Sequence, residues 1–168
     1  MRRFVAVGLL LLVIVSAFFL VKKHSRMKAE DDLRYFAVQK SNRAKAEDDI
    51  REAVFRYQMD HYKSDVYFLA IDNRDPSNGF MSRFKGCKPP VRKRSGSKFE
   101  STGPSTRDKE TGAKGVILES WGLEWLNKSV EVLGDEMWRP HWGSGYRFHV
   151  AVRNGRWVVT EAKWVAIY

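Results

Sequence analysis

The chain has few of the residues with which small domains form disulfide bonds or bind structural metal ions. Cys87 is the only cysteine in 168 residues, so an intrachain disulfide is excluded and the fold must depend on its apolar core. The four histidines have no ligand spacing with one another or with Cys87, which argues against a zinc site. We therefore expect neither a metal nor another cofactor.

Two catalytic sequence motifs are missing as well. The chain contains no Walker-type phosphate loop and no nucleophile elbow of the Gly-x-Ser-x-Gly type. Their absence removes two large enzyme classes. Any catalysis would have to come from acid and base side chains, and no motif in the sequence names a substrate.

Negative charge is the scarcer sign: the formal net charge is +10 and the pI is about 9.8. Much of the excess is local, because residues 83–98 carry seven basic side chains and no acidic one: Arg83, Lys85, Lys88, Arg92, Lys93, Arg94 and Lys98. Such a run suits anionic lipid or RNA, although basic runs beside loops are often simply solvated. Cys87 lies inside this run and is interpreted as an incidental free thiol.

Charge is absent altogether from residues 4–21, which as a helix span roughly 27 Å, close to the thickness of a bilayer core. We interpret residues 1–21 as a retained transmembrane anchor. The alternative is a cleaved signal peptide, with Arg2 and Arg3 as its basic region and Ala17 at a small-residue cleavage site. Basic residues flank the run on both sides, so they do not fix its orientation. We expect a single-pass protein of the inner, cytoplasmic membrane with its domain outside the cytoplasm, which makes nucleic acid an improbable partner.

After the anchor the pattern predicts a charged helical stem over residues 22–45 and one domain over residues 46–168. The main helix of that domain is expected at residues 46–62, where apolar residues recur at spacings of three and four. A strand at 66–71 and a short helix from Pro76 to about Phe84 follow. Residues 95–115 are rich in Ser, Thr, Gly, Lys and Arg and predict a mobile loop.

The rest of the chain predicts a four-stranded antiparallel meander. Its strands are expected at 116–126, from 129 onward, at 146–153 and at 156–165, with residues 137–145 as a connection. Asn154-Gly155 predicts the type I′ turn of the last hairpin, because both central residues of that turn need positive φ. The register then pairs Val152 with Trp157, Val150 with Val159, Phe148 with Glu161 and Tyr146 with Lys163.

Helices first and a meander afterwards indicate an α+β fold. The segments 49–57 and 154–161, the latter a turn followed by Trp and alternating valines, resemble the NTF2-like, or cystatin-like, superfamily, whose members wrap a curved sheet into a cone against N-terminal helices. That resemblance covers residues 46–168 and implies a pocket inside the cone. The inward polar candidates are Tyr57, His61 and Glu161, with Glu161 as a base of raised pKa. Alternatively, Glu161 lies at the open rim, paired with Lys163 or turned outward by a bulge, and Tyr57 and His61 are satisfied residues at the edge of the core.

Three tryptophans are relevant to the binding of a partner protein: Trp138 and Trp142, on either side of Pro140, and Trp164 on the predicted last strand. Trp138 and Trp142 are interpreted as a cap on the open end of the cone, or as an exposed anchor for a partner. Trp164 is expected on the outer sheet face, where it could support a homodimer. The leading hypothesis is a membrane-anchored NTF2-like domain that binds or scaffolds without catalysis in the cell envelope; the alternative is a small-molecule enzyme or ligand carrier that uses the cone pocket.

Overall fold

A computed structural model of the chain describes residues 2–100, 105–139 and 142–167, with side chains described for residues 21–100, 105–139 and 142–166. The helices are α1 (Arg2–Ser41), α2 (Arg43–His61) and α3 (Asn78–Met81). The strands are β1 (Val66–Ile71), β2 (Val91–Lys93), β3 (Ser97–Phe99), β4 (Thr106–Asp108), β5 (Lys114–Trp125), β6 (Val130–Arg139), β7 (Trp142–Arg153) and β8 (Arg156–Ile167). This mixed architecture with a curved sheet confirms the predicted α+β class.

The first helix joins the predicted anchor to the domain without a break. Its backbone is helical from Arg2 to Ser41, whereas the side chains of residues 4–20, which make up almost all of the predicted span, lie outside the described residues. No helix among the described residues is long and apolar enough to cross a membrane. The C-terminal end of α1 belongs to the core of the domain, because Phe36 is 6% exposed and packs edge-on against the rings of Trp125 and Trp157.

The sheet runs in the order β2-β1-β5-β6-β7-β8, with β1 parallel to both of its neighbours and the last four strands forming the predicted antiparallel meander. α2 covers one face of it. Ile50 and Val54 pack against the meander, while Phe55 packs against Phe80 and Phe84 beside β1 and β5. α2 thus buries two adjoining stripes of its own surface, one against the meander and one against the residues beside β1 and β5. Its central residues are fully buried for this reason.

The closing hairpin confirms the predicted turn: Asn154 and Gly155 have φ of 52° and 68°. Val152 pairs with Trp157 and Val150 with Val159, as predicted. Beyond that point the predicted register is wrong, because a β-bulge lies between His149 and Val150. As a result Phe148 pairs with Ala162, Tyr146 with Trp164, and Glu161 with His149.

The segment predicted as a connection, residues 137–145, is largely strand. β6 continues to Arg139, β7 begins at Trp142, and the two strands pair antiparallel along their length. Residues 140 and 141 lie outside the described residues. A second irregularity lies in β5, where the register shifts between Trp121 and Glu124 around Gly122 at φ 60°. Trp121 is therefore exposed on the side of Leu133, whereas Leu123 and Trp125 pack on the core.

Residues 91–114, which include most of the predicted mobile loop, lead from the edge strand β2 into a flap over the second face of the sheet. β3 pairs with β4, and β4 pairs with β5. The buried carboxylate of Asp108 organises the flap: it accepts the backbone N–H of Glu110 at 3.0 Å and lies 3.0 Å from the guanidinium of Arg92. Beneath the flap, Phe68 is fully buried. Residues 101–104 of the predicted loop lie outside the described residues.

Candidate functional site

A buried carboxylic acid, Glu136, is the most unusual ionisable group of the domain. β6 alternates regularly here, so Glu136 shares the α2-facing side with Val130 and Val132, opposite Ser144 on β7 and Leu118 on β5. The residue is 6% exposed. Burial raises the pKa of Glu136 to about 7, and the positive charge of His61 opposes this rise.

Aromatic side chains surround this acid at the C-terminal end of α2. The His61 ring stacks on Tyr57 with centroids 3.9 Å apart, and Tyr57 meets Phe148 edge-on. Burial and the charge of Glu136 raise the pKa values of Tyr62 and Tyr146. These interactions place the three groups close together, and we call the set of Tyr57, Gln58, His61, Tyr62, Glu136 and Tyr146 the Glu136 cluster.

Gln58 supplies an unpaired acceptor to the same region. Its side chain is fully buried, and its amide nitrogen donates to the backbone carbonyl of Asp135 at 3.1 Å. Its carbonyl oxygen has no hydrogen-bond partner among the described residues. An unpaired buried acceptor is costly, so a proton donor that reaches it, from a ligand or from a protonated Glu136, would be favoured.

The cluster is suited to moving a proton near neutral pH. The Nδ1 atom of His61 lies 2.8 Å from the carbonyl oxygen of Tyr57, so Nδ1 carries the proton of this hydrogen bond. Glu136, with its pKa of about 7, exchanges between acid and carboxylate in the neutral range. A carboxyl group that titrates near pH 7 beside an imidazole and phenol donors can exchange a proton with a bound polar molecule.

The structure brings together two of the three predicted pocket residues and separates the third. Tyr57 and His61 both belong to the Glu136 cluster, although His61 is itself exposed. Glu161 does not, because the bulge turns it to the outer sheet face, where its side chain is 51% exposed and lies 3.4 Å from Lys163. The predicted opposition of Glu161 to Phe148 is therefore wrong, and Glu136 occupies the inward position.

That outer face is ionic rather than apolar. Glu131 lies 3.1 Å from the Nε2 atom of His149 and 3.5 Å from Arg147, and Glu161 and Lys163 continue the pattern on β8. Trp164 pairs with Tyr146 and so points to the helix side of the sheet, contrary to the expectation that it stands on the outer face. A homodimer formed through the outer face would therefore not use Trp164.

The predicted basic run does not form one surface. Arg83 is drawn to the acidic face of α2, 2.7 Å from Asp49 and 2.8 Å from Glu52. Arg92 pairs with Asp108 and Glu110 inside the flap, and Arg94 bonds to Asn73. The remaining members are lysines: Lys85, Lys88, Lys93 and Lys98. With its arginines engaged in structure, the run offers a weaker anion-binding surface than its sequence indicates.

Strand alternation could have found Glu136. Continuing the pattern of Val130 and Val132 in steps of two places residues 134, 136 and 138 on the inner face. Trp138 does lie inside, stacked on Tyr62 with centroids 5.6 Å apart, as a cap on the end of α2. Trp142 instead is 56% exposed, with the guanidinium of Arg139 5.3 Å above its ring.

In the part of the chain that the structure describes, no group of three or more His, Cys, Asp or Glu side chains is arranged to hold a metal ion. Comparisons of the chain with protein-family models, with curated proteins and with solved structures each gave no match. The interpretation of function therefore rests on the residues themselves.

Proposed function

We propose that this chain is a membrane-anchored, NTF2-like domain that acts as a non-catalytic binding or scaffold module in the cell envelope. The observation that carries the proposal is the continuity of α1, which runs as one helix from the apolar segment into the domain core at Phe36. A helix that serves both as anchor and as core element holds the domain at a fixed distance from the bilayer. A scaffold needs that restraint, whereas an enzyme acting on a free solute does not.

The packing between α2 and the sheet supports binding through surfaces. In an NTF2-like ligand carrier this space is the pocket. Here it is occupied by Ile50, Val54, Phe55 and Phe148, each at most 1% exposed. Side chains packed at this density leave little room for a small molecule in the centre of the domain. Partners are therefore expected to contact the outside of the domain.

We place the domain outside the cytoplasm, on the inner membrane. An N-terminal span followed by an entire domain commonly exports that domain, whereas Lys22, Lys23, Arg26 and Lys28 after the span favour the opposite orientation. Membrane anchoring itself is tested by alkaline carbonate extraction of cell membranes that contain the full chain or residues 22–168. The proposal predicts that the full chain stays in the pellet and the shortened chain is released. Release of the full chain would overturn anchoring.

The Glu136 cluster favours a second candidate, acid-base chemistry or binding of a small molecule at the end of α2. The supporting observation is a buried carboxyl with a pKa of about 7 beside His61 and two tyrosines. The two candidates differ in what Glu136→Gln does in a deletion strain. If the protein is a scaffold, the Glu136→Gln variant should restore the wild-type phenotype of the deletion strain. If the protein is an acid-base catalyst that uses Glu136, the variant should fail to restore it. Glu161→Gln serves as the matched control, because that carboxylate is exposed on the other face.

A further inference from the structure

The end of the domain nearest the predicted span is formed by two hairpin tips that lie against α1. The backbone N–H of Gly155, at the tip between β7 and β8, donates to Asp32 on α1 at 3.3 Å. Lys128 lies in the tip between β5 and β6. Together with α1 these tips enclose a groove of about 400 Å³, with Ala29, Leu33 and Phe36 among its walls.

The groove carries unbalanced positive charge. Lys28, Lys128 and Arg153 line it, and Asp32, which accepts the Gly155 N–H, is its acidic lining residue. Lys22, Lys23 and Arg26 extend the positive charge along α1 toward the span, and all three are exposed. Within the described residues, no ion pair joins any of these six basic side chains to a carboxylate. The combination of apolar walls and unpaired cations suits an anionic amphiphile.

Helix geometry sets the height of this surface above the bilayer. At about 1.5 Å per residue, Ser25 lies roughly 6 Å and Lys28 roughly 10 Å beyond residue 21 along α1. The polar headgroup layer extends about 5 to 8 Å beyond each side of the hydrocarbon core. Lysine and arginine side chains bridge the small remaining distance. The mouth of the groove at Ser25 and Lys28 therefore lies within side-chain reach of the lipid phosphates, whereas Asp32, which holds the Gly155 tip, lies roughly 16 Å beyond residue 21.

We propose that the two hairpin tips and the first exposed turns of α1 dock on the anionic phospholipid headgroups of the membrane that holds the chain. This inference rests on the proposed anchoring by residues 4–21. Docking would fix the tilt of the domain as well as its height. The opposite end of the domain, with Tyr62 and Trp138, would then point away from the bilayer, toward partners.

Fluorescence quenching in vesicles tests the docking. The full chain is reconstituted into phosphatidylcholine vesicles with or without phosphatidylglycerol, each containing a headgroup-linked nitroxide quencher. A fluorophore is attached at Asn127→Cys in a Cys87→Ser background, which places it beside Lys128 at the tip. The wild-type chain labelled at Cys87, which lies by Arg56 and Met59 on the C-terminal half of α2, reports the far side.

The proposal predicts stronger quenching at the tip in the anionic vesicles, with loss of the difference at high salt and no difference at Cys87. Lys128→Glu with Arg153→Glu lowers the ratio of docked to undocked chains by an order of magnitude or more. Lys85→Glu with Lys98→Glu, an equal charge change on exposed residues elsewhere, does not. Equal tip quenching in both lipids, or equal effects of both variants, would overturn docking. Resistance of the reconstituted chain to carbonate extraction is measured separately. A chain that fails to insert in the membrane is thereby distinguished from an inserted chain whose tips fail to dock.

Discussion

The imidazole ring of His61 lies face to face on the phenol ring of Tyr57, with centroids 3.9 Å apart and planes inclined by 20°. Both residues lie on α2, four positions apart, and therefore on the same side of the helix. The stack sets the position of the imidazole, and a positive charge on that ring lowers the pKa of Glu136 against the larger effect of burial.

Glu136→Gln is expected to change how stability depends on pH. The pKa of Glu136 is raised in the folded state to about 7 from an ordinary value of 4.5, so the folded chain binds the proton more tightly than the unfolded chain. Its contribution to stability is therefore complete below pH 4.5 and is lost as pH rises toward 7. At pH 8 the neutral amide of the Glu136→Gln variant should raise the free energy of unfolding by on the order of 2 kcal/mol.

The measurement is urea unfolding of the full chain in detergent at several pH values, followed by tryptophan fluorescence. Glu161→Gln, on the exposed outer face, should leave the profile unchanged. If Glu136→Gln were no more stable than the wild type at pH 8, the raised pKa of Glu136 would be wrong.

Phe36→Ala is expected to loosen the attachment of α1 to the domain. The ring is 6% exposed and contacts both Trp125 and Trp157, so its removal should cost about 3 kcal/mol of stability. Val38→Ala is the control, because Val38 on the same helix is 63% exposed. Urea unfolding measures both. Equal, small effects would mean that α1 does not belong to the core.

Asp108→Ala is expected to open the flap locally. The Glu110 N–H, the Thr111 hydroxyl and Arg92 all bind this carboxylate. Burial alone would raise the pKa of Asp108, but these bonds hold it below its ordinary value. The stabilisation is therefore present above that ordinary value and is lost as pH falls through the lowered one.

Limited trypsin digestion reads out this opening, because residues 91–114 contain many lysines and arginines. Asp108→Ala should be cut in this segment severalfold faster, whereas Asp65→Ala, which removes an exposed carboxylate elsewhere, should behave as the wild type. Unchanged cleavage of Asp108→Ala would show that the flap does not depend on this carboxylate.

Gly134→Ala is expected to destabilise the centre of the sheet. A Cβ atom at residue 134 would lie 2.7 Å from the backbone oxygen of Glu119 and 2.9 Å from the ring of Phe148. Relieving that overlap requires strand movement and should cost roughly 1–3 kcal/mol. Gly79→Ala is the control, since its nearest atom would lie at an ordinary 3.8 Å. Thermal unfolding of both variants distinguishes them, and equal melting temperatures would contradict the close packing at Gly134.

Local signals predicted much of the fold. Asn154-Gly155 set the last hairpin, because few residue pairs accept two positive φ angles, and the apolar spacing around Ile50 and Val54 located α2. The bulge at His149 was predicted only as an alternative that would turn Glu161 outward, and its position could not be derived. A bulge inserts one residue and reverses every later side chain, and no residue type requires it at that position. Glu161 was assigned to the wrong face for that reason.

The candidate site was half predictable. Tyr57 and His61 follow from helix periodicity, which is local. Glu136 was missed because the strand from residue 129 was not followed to its end and a connection was predicted from residue 137, whereas pairing with two neighbouring strands extends β6 to Arg139. Its raised pKa comes from burial by distant segments, and sequence spacing does not reveal such burial.

Labelling of Cys87 distinguishes an anchored domain outside the cytoplasm from one inside it. Cys87 is a free thiol and partly exposed. Intact cells that express the full chain are treated with a membrane-impermeant maleimide, and lysed cells show that the thiol can react. For an anchored domain outside the cytoplasm we expect labelling in intact cells together with carbonate resistance. Protection in intact cells with labelling after lysis would contradict it and would place the domain in the cytoplasm.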